Sequence, residues 1–373
     1  MKQTLVLSIN TSWNLVNFRR DLIGRLQREG FDVVAVAPRD AHSASLVEMG
    51  VRHIPIDVDS KGLSPVRDAK LALQYWRILK RLRPAAFLGW TIKPNVYGSL
   101  AAHALGIPVI NNISGLGTAF IKVNLLTRIV RSLYRAALTR SATVFFQNPH
   151  DRDLFVEQRM VRPDQTILLP GSGIDLTRFV PGRTTTGAPV FLMVARLLRD
   201  KGVVEFADAA RMVRATCPAA RFELLGFLDV QNRTAIDRGM VDGWEREGIL
   251  QYLGEAADVR PYLERATAVV LPSYREGMPR SLLEAAAMGR PLIATDVPGC
   301  TEIARVGENA FLCAPRDAAS LAEAMKALIA LDPASLAAMG ARSREIAERD
   351  FDVALVEDRY IEAIRRATGV AQR

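Results

Sequence analysis

The sequence predicts an α/β protein with two doubly wound parallel sheets. Short apolar, β-branched runs alternate with stretches of helical spacing, which is typical of strand–helix–strand units. This alternation occurs in two series, separated by residues 170–188, which are rich in Gly, Pro and Thr. The length of 373 residues also suits two domains of ordinary size.

The first series predicts an N-terminal domain of residues 1–170. Apolar residues three and four positions apart indicate its helices, and short apolar runs indicate its strands. We expect, in order, strand 4–9, polar loop 10–17, helix 18–29, strand 31–37, strand 51–56, helix 66–83, strand 86–88, helix 95–105 and strand 108–112.

The second series predicts a domain of residues 171–352. We expect strand 189–195, helix 203–216, strand 221–225, helix 231–247, strand 250–253, strand 269–271, helix 281–288 and strand 292–295. Three helical segments near 317–330, 333–349 and 353–368 close the chain. The last of them belongs to a C-terminal segment, residues 353–373, which we treat separately.

The loop after the predicted strand 269–271 carries the strongest functional signal. It contains Glu276 and Gly277, and Pro279 suits the first position of the following helix, which contains Glu284. Loops at the carboxyl ends of parallel strands bind ligands in open α/β sheets. The glycine permits close backbone approach, the helix N-terminus favours a phosphate, and a nearby carboxylate can accept hydrogen bonds from a sugar diol.

A second charged motif follows the predicted strand 189–195. Arg196 and Lys201 are separated by four residues and precede a helix. Arginine offers a planar fork to two phosphate oxygens, and lysine offers a point charge. The pair therefore predicts a phosphate site.

The stretch from Glu276 to Gly299 resembles the signature of the retaining GT-B glycosyltransferases of family 4. The seven-residue spacing to Glu284 matches, as does the Gly277-Met278-Pro279 sequence after the first glutamate. The motif with Arg196 and Lys201 matches the phosphate-binding motif of that family. The resemblance implies the GT-B fold, in which two Rossmann-like domains face each other across a cleft. It also implies that the helix of the C-terminal segment, residues 353–373, crosses back to pack on the first domain.

The resemblance also implies roles for these residues. The second domain would bind a nucleotide-sugar donor, with Arg196 and Lys201 neutralising the departing diphosphate. Glu276 would orient the sugar, and Glu284 would hold the ribose. The donor would also contact Gly277, Met278 and Pro279. The Asp57-Val58-Asp59 sequence matches the D-x-D pattern that binds a divalent metal in the other large glycosyltransferase fold, but it lies far in sequence from the donor motifs. Because the resemblance implies chemistry that needs no metal and no cofactor, we expect this sequence to be a solvated loop.

Two segments, 90–95 and 112–120, resemble a subgroup that extends polyprenyl-diphosphate-linked glycans and includes N-acetylgalactosaminyltransferases. This implies an N-acetylhexosamine donor, UDP-linked, and a polyprenyl-diphosphate-linked acceptor bound by the first domain. The candidate acceptor residues are Asn14, Asn17, Arg19, Lys93 and Ser114. Lys93 also fits an ordinary lysine at a helix start.

The positive charge is concentrated in the first half of the chain. Residues 1–180 hold 24 Lys and Arg but 13 Asp and Glu, and no acidic residue occurs from Ala69 to His150. Such a basic field favours nucleic acid, anionic lipid or a phosphorylated substrate as partner. Because no recognised nucleic-acid-binding motif is present, we expect no nucleic acid partner.

A basic amphipathic helix is predicted within this acid-free region, at residues 122–140. It places Arg128, Arg131 and Arg135 on one face. The pattern fits either a core-packed helix with a solvated basic edge or a helix that contacts an anionic membrane surface.

The composition indicates a location and leaves alternative functions open. Three cysteines without metal-like spacing and an N-terminus without a signal peptide predict a cytoplasmic protein. Together with the basic region, they predict peripheral association with the inner face of the cell membrane. The alternatives are a glycosyltransferase with a soluble acceptor, a GT-B-like sugar-nucleotide epimerase and, less favoured, a nucleic-acid-binding protein.

Overall fold

The computed structural model describes residues 2–59, 64–115, 125–182, 187–228, 232 and 234–369, with only the backbone given for 125–127. The chain divides into two compact units. The first comprises Met1–Ser172 together with Val353–Arg373, and the second comprises Gly173–Asp352.

The first unit contains a seven-stranded parallel sheet with the strand order β3-β2-β1-β4-β5-β6-β7. The strands are β1 Thr4–Ser8, β2 Asp32–Ala37, β3 Arg52–Pro55, β4 Ala86–Trp90, β5 Val109–Ile113, β6 Thr143–Phe146 and β7 Thr166–Leu168. Its helices are α1 Ser12–Phe18, α2 Arg20–Arg28, α3 Ser43–Glu48, α4 Pro65–Leu82, α5 Ser99–Ala104, α6 Leu125–Leu138 and α7 Pro149–Glu157.

Both faces of this sheet are buried under helices. Successive side chains of a strand point to opposite faces, so each strand contributes to two cores. Leu5 and Leu7 pack on one face, whereas Val6 packs on the other. The C-terminal helix α14, Val353–Thr368, belongs to the first of these cores and packs against α2. Its Tyr360 is buried against Trp90.

The second unit contains a six-stranded parallel sheet with the order β10-β9-β8-β11-β12-β13. The strands are β8 Val190–Val194, β9 Arg221–Leu225, β10 Gln251–Tyr252, β11 Ala268–Leu271, β12 Leu292–Thr295 and β13 Ala310–Cys313. Its helices are α8 Val203–Arg214, α9 Arg238–Arg246, α10 Arg260–Arg265, α11 Arg280–Ala287, α12 Ala318–Ile329 and α13 Pro333–Asp350. The predicted fold class, two doubly wound parallel sheets, is therefore confirmed.

Several local predictions were wrong. The polar stretch 10–17 was expected to be a loop, but it contains α1, because the Thr11 hydroxyl caps the helix by accepting the Asn14 backbone N–H at 3.2 Å. The helix expected at 95–105 begins with a π-helical turn, Pro94–Gly98. The sequence patterns also missed α3, β6, α7, β7, α10 and β13.

The helix expected at 231–247 begins later. Residue 231 lies outside the described residues, and α9 starts at Arg238 because the Asp237 carboxylate accepts the Met240 backbone N–H at 2.9 Å. Before it, Ala235 forms an isolated bridge with Leu198. Extended backbone at this point excludes an earlier helix start.

Within the described residues, no single helix is long and apolar enough to cross a membrane. The pair α12 and α13 meets the length and composition criteria only jointly, and its axes are bent by 113°.

Candidate active site

In the second unit, strand order brings two distant loops together. The order reverses between β8 and β11, which are parallel neighbours. Such a switch point is where open α/β sheets form ligand crevices. The loop after β8 carries Arg196 and Lys201, and the loop after β11 carries Glu276, so both charged motifs lie at the same edge of the sheet.

Glu276 lies at the centre of this edge. Its Oε1 accepts hydrogen bonds from the Lys201 ammonium and, at 2.7 Å, from the Ser273 hydroxyl. The Glu276 side chain is 11% exposed and that of Lys201 20% exposed. The Ser273 carbonyl in turn accepts the Thr295 hydroxyl, which lies at the end of the neighbouring strand β12. These contacts fix the carboxylate in one orientation.

The two loops are also joined through Tyr274. Its backbone N–H donates to the Asp200 carbonyl at 3.0 Å, and its hydroxyl donates to Glu205 at 2.6 Å. Burial, followed by the hydrogen bond to Glu205, raises the pKa of Tyr274, so the hydroxyl remains a donor at neutral pH. The loop after β11 is therefore attached to both the turn and the helix that follow β8.

Two glycines are required by close backbone approach. At Gly202, with φ of +76°, a Cβ would lie 2.1 Å from the Pro272 carbonyl oxygen. At Gly299, with φ of +89°, a Cβ would lie 2.7 Å from the Glu276 backbone. Any side chain at either position would displace the loop that carries Glu276.

Glu284 lies on α11 and pairs with Arg280 one turn earlier, at 3.0 Å. Burial raises the pKa of the Glu284 carboxyl, and the nearby Arg280 guanidinium opposes this effect. The Glu284 side chain is 14% exposed, so it is more enclosed than a helix-surface charge. Arg280 also donates to the Gly173 carbonyl, at 3.2 Å.

The start of α11 differs slightly from the prediction. Pro279 is the N-cap residue and not the first helical residue, and no side chain caps the helix. Gly277 is buried, and Met278 packs partly into the adjacent core. An uncapped helix N-terminus offers backbone N–H groups to an anion.

Arg196 is the most accessible of the predicted donor-site residues. Its side chain is exposed, and no carboxylate partner is found for it within the described residues. The exposed Arg196 and the half-buried Lys201 both follow β8, so the switch point has two cations. The arrangement can bind a diphosphate, and Glu276 and Glu284 can accept hydroxyl hydrogen bonds beside it.

The first unit has its own reversal of strand order, between β1 and β4. The residues predicted to bind an acceptor follow β1, β4 and β5, which are neighbouring strands. Asn14 donates to the Thr11 hydroxyl at 2.9 Å, and the exposed Asn17 donates to the Trp13 carbonyl at 2.9 Å. Arg19 is buried, with its guanidinium 5.4 Å from the Trp90 ring centroid.

Lys93 and Ser114 are held by internal partners. The Lys93 ammonium donates to Asp68 at 2.7 Å, and both side chains are nearly buried. The Ser114 hydroxyl donates to Asn112 at 2.8 Å, and Asn112 donates to the Tyr360 hydroxyl of α14 at 2.9 Å. The segment 112–120 continues beyond Gly115 outside the described residues.

The predicted basic face of α6 is not uniform. The start of the predicted helix, residues 122–124, lies outside the described residues. Arg128 is exposed, Arg131 is half-buried, and Arg135 donates to the carbonyls of Gln158 and Arg159 at 2.8 and 3.1 Å. Arg135 therefore satisfies carbonyl groups at the end of α7, which gives it a structural contact that the sequence did not predict.

Within the described part of the chain, no cluster of three or more His, Cys, Asp or Glu residues could hold a metal ion. Asp59 pairs with Arg67 at 2.7 Å, and Asp57 accepts a long hydrogen bond of 3.5 Å from Gln74. The segment lies in a loop after β3, where Asp57 is exposed and Asp59 is half-buried.

The sequence did not single out Ser273, Tyr274, Glu205 or Gly299 as site residues. The signal for Ser273 was its position three residues before Glu276, within hydrogen-bonding reach in a tight loop. Gly299 ends the stretch that resembles the family signature. For Glu205 the chain offers no local signal, because only the fold brings it to the loop after β11.

Comparison with known proteins identifies the family. Residues 188–330 match the model of glycosyl transferases group 1, and residues 5–148 match the model of glycosyl transferase 4-like domains. A glycosyltransferase from Rickettsia africae ESF-5 shares the fold, with a TM-score of 0.81 over 99% of this chain and 100% of that chain, at 16% identity.

Two curated bacterial enzymes align along most of the chain. The N,N'-diacetylbacillosaminyl-diphospho-undecaprenol alpha-1,3-N-acetylgalactosaminyltransferase of Campylobacter jejuni is 26% identical, over 95% of this chain and 96% of that protein. The UDP-Gal:alpha-D-GlcNAc-diphosphoundecaprenol alpha-1,3-galactosyltransferase of Escherichia coli is 23% identical, over 80% of each. The chain thus belongs to the family 4 glycosyltransferases of the GT-B fold.

Proposed function

We propose that this glycosyltransferase is a retaining enzyme that transfers an N-acetylhexosamine from a UDP-sugar to a polyprenyl-diphosphate-linked saccharide. The observation that carries the proposal is the contact between Lys201 and Glu276 at the switch point of the second sheet. A lysine in contact with a glutamate offers one group that can stabilise a departing diphosphate and one that can accept hydrogen bonds from sugar hydroxyls, and this supports the proposal. The names of the two curated relatives support the acceptor class, and that of the Escherichia coli enzyme supports UDP.

The roles proposed for the donor-site residues depend on the negative charge of the departing diphosphate. As the bond between the anomeric carbon and the diphosphate breaks, negative charge develops on the leaving group, and Arg196 and Lys201 stabilise it. The N-terminus of α11, with Gly277, Met278 and Pro279 before it, provides backbone contacts to the donor. Glu276 orients the sugar, and Glu284 accepts hydrogen bonds from the ribose.

The acceptor half uses the first unit. Asn14, Asn17, Arg19, Lys93 and Ser114 lie on elements that meet at the carboxyl edge of its sheet, and we assign them to the acceptor. Because Lys93 and Ser114 already have internal partners, their role is to hold the edge in shape and to make part of their hydrogen bonds to the acceptor. Retention of configuration is consistent with the departing diphosphate accepting the acceptor proton.

The membrane is the third proposed partner. Arg128 and Arg131 on α6, within the acid-free region, would attract the anionic inner face of the cell membrane, where a polyprenyl-linked acceptor is anchored. Each lysine or arginine near such a surface contributes about 1 kcal/mol, screened by salt. Arg135 contributes charge to the same face while it remains bound to α7 carbonyls.

The experiment is a transfer assay with a matrix of donors and acceptors. UDP-N-acetylgalactosamine, UDP-N-acetylglucosamine, UDP-galactose and a GDP-sugar are each offered with a polyprenyl-diphosphate-linked saccharide or with the same saccharide free in solution. We expect transfer from a UDP-N-acetylhexosamine to the lipid-linked acceptor, unchanged by EDTA. Transfer to the free saccharide at equal efficiency, or none from a UDP-sugar, would refute the assignment.

A further inference from the structure

The first unit contains a pocket in which Lys93 is the one lining residue already assigned to the acceptor. Its volume is about 460 Å³, within the range of small-molecule sites. It is formed by the carboxyl ends of β2 and β3, the first turns of α4 and the residue Lys93 that follows β4. Ligands bind at this edge of open parallel sheets.

A buried charged pair forms one wall of the pocket. Asp68 on α4 is 5% exposed and accepts the Lys93 ammonium at 2.7 Å and the Ser64 backbone N–H at 3.3 Å. Burial, and then the charge of Asp68, raises the pKa of Tyr97 to about 12, so its hydroxyl stays a donor to the same carboxylate. The charge of Asp68 is therefore compensated by Lys93, and hydrogen bonds hold its side chain in place.

The balance of charge in the rest of the pocket is positive. A second ion pair lines the pocket, with the Arg67 guanidinium 2.7 Å from the Asp59 carboxylate. Arg39 and Lys70 also line the pocket, and neither has a carboxylate partner within the described residues. The remaining carboxylate, Asp57, accepts from the described part of the chain only the long hydrogen bond from Gln74, at 3.5 Å. Among the described lining residues, two cations and one carboxylate therefore have no ion-pair partner.

This combination matches one chemical class. Cations without partners bind phosphate oxygens, whereas an available carboxylate accepts hydrogen bonds from hydroxyl groups. We propose that the pocket is an acceptor subsite in which Arg39 and Lys70 bind the diphosphate of a glycan acceptor and Asp57 binds hydroxyls of its first sugar. The inference rests on the proposed function and names where the diphosphate of the acceptor binds.

The test variants are chosen so that the fold is preserved. Arg39 and Lys70 are exposed, so Arg39→Ala with Lys70→Ala removes two charges without opening the core. The matched control is Arg77→Ala with Arg81→Ala, which removes two exposed charges from α4, the helix that carries Lys70, at positions outside the pocket. Lys93 is not substituted, because its loss would leave Asp68 buried without its ion-pair partner.

The first measurement is calorimetric binding of inorganic pyrophosphate. It uses the full chain carrying Arg196→Ala, which weakens the donor phosphate site and leaves the pair between Lys201 and Glu276 intact. Adding Arg39→Ala and Lys70→Ala should weaken binding about tenfold or more, since each lost charged hydrogen bond has an effect of this order. The control pair should bind like its parent. If the pocket variant and the control pair bind pyrophosphate equally, the proposal is overturned, whether or not the protein transfers sugar.

The second measurement separates a free anion from an acceptor. In the otherwise unchanged protein, Arg39→Ala with Lys70→Ala should raise the KM for a polyprenyl-diphosphate-linked acceptor about tenfold and leave the donor KM unchanged. With an alkyl glycoside of the same saccharide, which lacks diphosphate, variant and wild type should behave alike. Weaker pyrophosphate binding with an unchanged acceptor KM would mean that only a free anion binds, which overturns the acceptor subsite.

Discussion

At the scale of single residues, the two glutamates have different surroundings, and their substitution should affect different kinetic constants. Glu276 contacts Lys201 and is proposed to orient the reacting sugar, so Glu276→Ala should lower kcat by about a hundredfold or more. Glu284 is proposed to contact the ribose, which is bound equally in ground and transition states. Glu284→Ala should therefore mainly raise the donor KM. Steady-state kinetics on both variants checks this. Wild-type kinetics for both would show that the donor-site assignment is wrong.

Gly299 tests how strictly the loop that carries Glu276 is positioned. Gly299→Ala should lower both kcat and the melting temperature, because its Cβ would meet the Glu276 backbone. The control is Gly254→Ala, which has a similar positive φ of +75° but no atom within 4 Å of the added Cβ. Strain at positive φ costs each variant about 1 kcal/mol. If the two variants are equally active, contact with Gly299 does not position Glu276.

The raised pKa of Glu284 predicts a stability effect with a definite sign. A carboxyl whose pKa is higher in the folded state contributes stability at low pH, which is lost as the pH rises through that pKa. Glu284→Gln should therefore raise the melting temperature more at pH 7 than at pH 4. Asp332, the N-cap of α13, gives the opposite case: hydrogen bonds to Ser335 lower its pKa, so Asp332→Asn should be most destabilising at pH 7. The same trend in both variants would contradict this account.

At the scale of elements, α6 is the proposed membrane contact. Arg128→Glu with Arg131→Glu should weaken binding to anionic vesicles strongly, and binding by the wild type should fall as salt rises. Arg135 is left unchanged because its bonds to the end of α7 would confuse loss of charge with loss of structure. Sedimentation with vesicles measures the effect. Arg77→Glu with Arg81→Glu on α4 is the control, and an equal loss in the control would show that the contact is not specific to α6.

Elements also show where sequence patterns suffice and where they do not. Strands such as β8 and β11 were predicted because parallel strands buried on both faces are continuous apolar runs. The helix α1 was not, since its Thr-Ser-Trp-Asn start is polar and its cap depends on one hydroxyl contact. Strand β7 was missed because a segment of three residues has no periodicity of its own and is defined by its pairing with β6.

At the scale of the whole molecule, the family and the fold were predictable because the two motifs are local in sequence. The contact between Lys201 and Glu276 was not, since 75 residues separate them and only the order β8-β11 brings them together. The pocket in the first unit was equally hidden, because its lining comes from two strands, a helix and a loop. Lys93 was noticed only as a possible acceptor contact, whereas its partner Asp68 lies 25 residues earlier.

The central claim concerns the reaction itself, and one measurement tests it most directly. Product formed from an α-linked UDP-N-acetylhexosamine and a polyprenyl-diphosphate-linked acceptor is isolated, and the configuration of the new linkage is determined by NMR from the anomeric coupling constant. The account predicts an α linkage, formed by the wild type and at least a hundredfold more slowly by Glu276→Ala. A β linkage, or an α linkage formed equally fast by the variant, would contradict it.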